Sequence, residues 1–243
     1  MRWTVLNGSP RGKSSNTRVM LEQVRSGMES AAGGSVIEWD EYFLRDADSH
    51  SRAAETAASG DGLLIAYPLY TDSMPGITVR FLETLAGASG LKYSLEGRNI
   101  PAAFLAHSGF PDGIHTAHLP GIHREICGSL GFTYAGTLRK PGSEAVRLMP
   151  PNMQKSLFRT LREAGIGLVR DGRIPPDLED ALVRYETPGP MQCFAMRLMS
   201  ATGIINMYWN RMLKKNGAWK KWFDAPYEGE LRDESRPPEK EHA

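Results

Sequence analysis

The sequence predicts a doubly wound α/β domain followed by a helical extension. Short apolar runs alternate with longer amphipathic ones through the first two thirds of the chain, which is the pattern of βα units around a parallel sheet. A Gly/Ser-rich loop stands between the first apolar run and the first amphipathic one, where such folds hold anions. After about Asp171 the strand signals stop, and Pro175, Pro176, Pro188 and Pro190 break the chain into short pieces.

Taken in order, strands are expected at Arg2 to Leu6, Ser35 to Tyr42, Gly62 to Tyr67, Ile100 to Ala106 and Phe132 to Leu138. Helices are expected at Thr17 to Met28, Ser51 to Ala58, Gly76 to Leu85, Thr116 to Leu130 and Met153 to Ala164. In the last of these, Met153, Leu157, Leu161 and Ala164 share one face. Glu38, Asp40 and Glu41 interrupt the second strand and suggest an edge position. The expected division is 1–170 for the sheet domain and 171–243 for the helical extension, which ends in a polar tail from Glu228 to Ala243.

Composition narrows the function. With 29 Lys and Arg against 28 Asp and Glu, the net charge of +1 supplies no general field for a polyanion, so neither nucleic acid nor membrane is an expected partner. Cys127 and Cys193 form neither a CxxC pair nor a cluster with metal-ligand spacing. The chain opens on Met1-Arg2-Trp3-Thr4-Val5-Leu6 without a charged leader and long apolar core, so the cytoplasm is the expected compartment. From Met191 to Trp209 the sequence is fairly apolar, but Gln192, Arg197, Ser200, Thr202 and Asn206 interrupt it short of a membrane span.

The first strand runs into Asn7-Gly8-Ser9-Pro10-Arg11-Gly12-Lys13-Ser14-Ser15-Asn16-Thr17. Amides at the following helix N-terminus and the helix dipole favour an anion there. Ser9, Ser15, Asn16 and Thr17 add short donors and Arg11 a planar cationic fork, so the expected ligand group is a phosphate. The run is not a Walker A loop: only Ser9, Pro10 and Arg11 separate Gly8 from Gly12-Lys13, one residue too few.

Two further loops belong with the first. The third strand ends in Pro68-Leu69-Tyr70-Thr71-Asp72-Ser73-Met74-Pro75-Gly76, and the fourth in His107-Ser108-Gly109-Phe110-Pro111. In strand order 2-1-3-4-5 the first, third and fourth loops converge at the carboxyl edge near the switch in strand order. Pro68, Leu69, Tyr70 and Phe110 suit the faces of a flat ring, while Ser73, Ser108 and loop amides suit its polar edge.

These three segments, Gly-Ser-Pro-Arg with Ser-Asn-Thr, Pro-Leu-Tyr with Ser-Met-Pro-Gly, and Ser-Gly-Phe-Pro, resemble the NADPH-dependent FMN reductase group of the flavodoxin-like superfamily. The resemblance implies that Ser9, Arg11, Ser15, Asn16 and Thr17 hold the FMN phosphate. It also implies that Pro68, Leu69, Tyr70, Thr71, Asp72 and Ser73 line the flavin ring, with Ser108, Gly109 and Phe110 at its other edge. His107 begins the fourth loop within reach of the flavin or substrate. The implied activity is ping-pong transfer of electrons from NAD(P)H through FMN to a small acceptor; a flavodoxin-type electron carrier is the alternative.

Other constellations are weaker. His107, His115, His118 and His123 fall in one stretch, and His115 and His118 could share a helix face, but Pro120-Gly121 is expected to break the register before His123, so no metal is expected. No Gly-x-Ser-x-Gly nucleophile elbow occurs. Arg211, Lys214, Lys215, Lys220 and Lys221, interleaved with Trp209, Trp219 and Trp222, read as a solvated helix face rather than a nucleic-acid site. Phe194, Met196, Leu198, Met199, Ile204, Ile205, Met207, Tyr208, Trp209 and Met212 carry more apolar surface than a solvated tail needs; a homodimer is expected to cover it and finish the active-site mouth, and packing back on the chain's own domain is the alternative.

Overall fold

The computed structural model describes residues 1–88, 95–183, 190–203, 206–221 and 224. The expectations for Pro188, Ile204, Ile205, Trp222, the side chains of Met196 and Tyr208, and the tail from Glu228 lie outside the described residues.

Five strands, β1 (Arg2–Asn7), β2 (Glu38–Phe43), β3 (Gly62–Pro68), β4 (Pro101–His107) and β5 (Thr133–Lys140), form one parallel sheet in the order β2-β1-β3-β4-β5. The connecting helices are α1 (Asn16–Ala31), α2 (His50–Ser59), α3 (Gly76–Gly87), α4 (Leu119–Leu130) and α5 (Lys155–Arg170), followed by a four-residue α6 (Pro176–Glu179), α7 (Pro190–Ala201) and α8 (Met207–Lys215). The doubly wound order predicted from the sequence is the order observed, and β2 lies at an edge with no fully buried residue.

Two cores sandwich the sheet. Leu6, Ile65, Tyr67, Phe81, Leu85 and Phe104 pack on the α2, α3 and α4 side. Val5, Met20, Val24, Leu64, Leu105, Leu138 and Leu161 pack on the α1 and α5 side. Strands β3 and β4, covered on both faces, read as unbroken apolar runs for that reason. Burial pushes the Cys127 thiol up to about 12, so it behaves as a small core hydrophobe.

One expected position differs. Met153 is 66% exposed, because it sits in the 3₁₀ turn Pro151–Gln154 that precedes α5; Leu157, Leu161 and Ala164 carry the buried face alone.

The chain divides into two compact units, Met1–Glu186 and Thr187–Ala243. Beyond residue 170, Ile174 and Leu178 are still part of the first unit's core, and the Ile174 amide donates to Ala135 O at 2.7 Å along the β5 edge. The second unit contains α7 and α8.

Candidate functional site: the carboxyl edge of the sheet

Strands β1, β3 and β4 are parallel neighbours, so the loops that follow them leave the same edge side by side. The first is fixed where it starts. The Gly8 amide donates to Ala66 O at 2.7 Å, and a Cβ on Gly8 would stand 2.2 Å from Thr78 Oγ1 and 3.0 Å from Tyr67 Cβ. Gly12 then turns the chain at φ +55°, against the Arg45 side chain.

At the head of α1, Asn16 and Thr17 are the first two helical residues, so their amides have no intrahelical partner. The third amide, Arg18, is taken by the Ser15 hydroxyl at 3.2 Å. Ser9 Oγ accepts from the Arg11 amide at 3.4 Å, which leaves the hydroxyl proton for another acceptor. The exposed guanidinium of Arg11 stands 3.8 Å from the exposed Glu144 carboxylate, a loose surface pair of small net worth. Main-chain donors, Ser9 and Arg11 therefore make a cradle whose chemistry fits a phosphate.

Three other side chains expected at the phosphate have different work. Ser15 caps α1 and donates its own proton to Gly12 O at 2.7 Å. Asn16 reaches across to the loop after β5: its amide group donates to Ser143 O at 2.8 Å and Glu144 O at 3.2 Å, and its carbonyl accepts from the Arg147 amide at 3.1 Å. Thr17, fully buried, bonds His107 Nε2 at 2.8 Å. These residues can serve an anion through their amides, while their side chains brace the loops.

His107 is likewise a brace. It is 5% exposed; Nε2 meets Thr17 Oγ1 and Nδ1 meets Ser143 Oγ at 2.7 Å. Because Ser143 Oγ donates to Ser108 O at 2.9 Å, it must accept from His107 Nδ1–H, and Nε2 then accepts from Thr17. The ring is neutral, with its pKa lowered to about 3 by burial and, secondarily, by Lys140 and Arg11. Both nitrogens are spent inside the protein, which corrects the expectation that His107 faces flavin or substrate.

After β3, Pro68 and Leu69 are buried and Tyr70, Thr71, Asp72 and Ser73 are exposed. Tyr70 and Ser73 exchange main-chain bonds at 2.9 and 3.1 Å around a tight turn in which Thr71 (φ 50°) and Asp72 (φ 58°) are both left-handed. A β-branched residue there stores strain of about 1–2 kcal/mol. His115 Nδ1 holds Asp72 Oδ1 and His118 Nε2 donates to Asp72 O, each at 2.9 Å. After β4, Ser108 is buried, bonding Phe110 O at 3.0 Å, while Gly109 and Phe110 are exposed. Tyr70 (49% exposed) and Phe110 (67%) are open to solvent on the loops that follow β3 and β4.

The four clustered histidines do separate jobs. His123 lies in the core between Tyr67 OH (2.7 Å) and Thr137 Oγ1 (2.8 Å), stacked 3.9 Å from Phe104, and burial lowers its pKa to about 3. Among the described residues no group of three or more His, Cys, Asp and Glu could hold a metal.

Sequence reasoning missed the loop after β5. Ser143, Glu144 and Arg147 tie it to the first and fourth loops, and Glu144 borders both Arg11 and Gly109. The available signal was its place at the carboxyl end of a parallel strand. A cavity of about 400 Å³ lies behind this loop, lined by Pro111, Lys140, Gly142, Met149, Gln154 and Leu182 among others. It adjoins the cradle's bracing loop but contains none of the cradle's donors.

The fold is that of a flavodoxin-like α/β protein, and its first βα loop presents donors that suit an anion. Residues 1–120, just under half of the chain, match the family described as NADPH-dependent FMN reductase, the one that the three loops resemble. Among solved structures, the chain is similar to an FMN-dependent NADH-azoreductase from Bacillus anthracis in complex with FMN (TM-score 0.53, 13% identity, over 70% of this chain and 100% of the other). It is also similar to an NADH:FMN oxidoreductase, EMOB, in its apo form (0.52, 20%, 78% and 97%). A third is the NAD(P)H:quinone oxidoreductase from Methanothermobacter marburgensis (0.50, 14%, 69% and 96%). At these identities the likeness is one of fold. No curated protein matches the sequence.

Proposed function

We propose that the protein is an FMN-dependent NAD(P)H oxidoreductase acting in the cytoplasm on a small acceptor such as a quinone, a nitro or azo compound, or free flavin. The observation that supports this reading is the set of main-chain donors at the head of α1 with Ser9 and Arg11, within the stretch of residues 1–120 that matches the FMN reductase family. FMN supplies the two-electron chemistry when bound, accepting hydride from the nicotinamide and passing reducing equivalents to the acceptor. The chain's own residues bind and orient. The amides of Asn16 and Thr17, with Ser9 and Arg11, hold the phosphate. The loops from Pro68 to Ser73 and from Ser108 to Phe110 hold the ring, and the His107 network keeps the loops in register.

Arg11→Ala is expected to weaken FMN binding by about 1–3 kcal/mol, the scale of one charge-assisted hydrogen bond. Glu144→Gln is expected to tighten it severalfold, because the competing carboxylate 3.8 Å from Arg11 is removed. Calorimetric titration of the two variants checks both signs.

The function is tested by initial rates with NADH or NADPH and a quinone or azo dye, each substrate varied against the other. One mouth serving both half-reactions predicts parallel double-reciprocal lines. Rapid mixing that shows no reduction of bound flavin by either nicotinamide would leave an electron carrier in place of an oxidoreductase.

A further inference from the structure

The loop after β3 makes a turn that its own sequence opposes. Tyr70 and Ser73 face each other across it through two main-chain bonds, with Thr71 and Asp72 between them at φ 50° and 58°. A two-residue turn with both central residues left-handed is the shape that Asn-Gly or Asp-Gly adopts unaided. Asp tolerates it, but Thr, branched at Cβ, does not. In the free segment this turn is the minority form, so groups outside it have to keep it.

Those groups come from one short stretch. His115, in the 3₁₀ turn Gly113–Thr116, donates from Nδ1 to the Asp72 carboxylate, and His118, at the head of α4, donates from Nε2 to Asp72 O, each at 2.9 Å. The His115 ring also lies 5.2 Å from the Phe110 ring, tilted by 34°. The stretch therefore touches both the loop after β3 and the loop after β4. It is itself held: the Ile114 amide donates to the Asp112 carboxylate at 3.0 Å, and the buried Thr116 hydroxyl donates to Gly113 O at 2.9 Å. All of these residues belong to the first compact unit.

We propose, resting on the reading of these two loops as the seat of the flavin ring, that His115 and His118 are positioning residues for that ring. They hold the Thr71–Asp72 turn in its left-handed form, and His115 fixes Phe110 on the neighbouring loop. Neither touches the flavin or carries a proton for the reaction. Affinity for the ring scales with the fraction of molecules whose loop already has the bound shape, and the two bonds raise that fraction.

The test compares two double variants of the full chain. His115→Ala with His118→Ala removes both bonds, whereas His115→Asn with His118→Gln keeps them, because the Asn amide nitrogen takes the place of Nδ1 and the Gln amide nitrogen that of Nε2. In flavin-free protein, hydrogen exchange at the Tyr70 and Ser73 amides, the two bonded amides of the turn, is expected to quicken at least about fivefold in the Ala variant, the scale of two lost hydrogen bonds. FMN affinity is expected to fall at least about threefold, while the inhibition constant of inorganic phosphate against FMN, which reports the cradle alone, stays the same. The Asn/Gln variant is expected to return exchange and affinity to within about twofold of the parent. Unchanged exchange in the Ala variant, or faster exchange with no loss of FMN affinity, would overturn the proposal. So would an Asn/Gln variant as weak as the Ala one, or a phosphate inhibition constant that weakens along with FMN. A parent that binds no FMN would overturn the flavin reading itself, while the exchange rates still decide whether the two histidines hold the turn.

Discussion

Gly165→Ala in α5 is expected to destabilise the protein by about 3 kcal/mol or more, although alanine is the better helix former. A Cβ at Gly165 would lie 2.1 Å from Val24 O and 3.0 Å from Met28 N, both main-chain atoms of α1. The reciprocal contact is as close, with a Cβ on Gly27 2.0 Å from Arg162 O. The two helices touch backbone to backbone, so no rotamer change relieves the clash and α1 must move away from α5. That movement carries the cradle with it, because Thr17 at the head of α1 is bonded to His107 and Asn16 to Ser143. Denaturant unfolding of Gly165→Ala should therefore show a loss of stability together with weaker FMN binding. Gly128 in α4 is the control: nothing lies within 4 Å of its Cβ position, and Gly128→Ala should gain about 0.5–1 kcal/mol. A Gly165→Ala protein as stable as the parent would contradict the close crossing.

Stability is expected to fall steeply in mild acid. His107 and His123 are buried and neutral, each with its pKa lowered from 6.5 to about 3. In the unfolded chain they bind protons below about pH 6.5, whereas in the folded protein they do not until about pH 3. Their contribution is complete above pH 6.5 and is lost as pH falls through that window, by about 1.4 kcal/mol per pH unit for each ring. Between about pH 6 and pH 4.5 the two together remove several kcal/mol, a large share of a typical domain's stability. His107→Gln keeps a donor and an acceptor but cannot titrate, so it should roughly halve the slope. Urea midpoints that do not change between pH 7 and pH 5 would show that the two rings are not held neutral by burial.

Much of the fold was legible in the sequence. Continuous apolar runs marked β3 and β4, charges marked β2 as an edge, and the order 2-1-3-4-5 adopted for the βα alternation is the one observed. The loops proposed as the site were picked out by their glycines and short polar residues, which sit where a parallel strand meets a helix. The roles of individual side chains were harder to read. Ser, Asn and Thr at a helix start suit an anion and suit capping equally, and only the partners of Ser15, Asn16 and Thr17 separate the two. Those partners are far away: Asn16 reaches Ser143, 127 positions along the chain. Glu144 was missed for the same reason, since nothing local ties Pro141-Gly142-Ser143-Glu144 to Arg11. His115 and His118, set aside as metal ligands in the sequence, hold the strained turn at Asp72 in the structure.

If the head of α1 and Arg11 bind the phosphate of FMN, calorimetric titration will separate FMN from riboflavin. The two ligands share the ring and differ in the phosphate alone. One FMN per chain is expected, with riboflavin bound at least about a hundredfold more weakly, the scale of two charge-assisted hydrogen bonds. Equal affinity for the two, or no FMN binding at all, would contradict it.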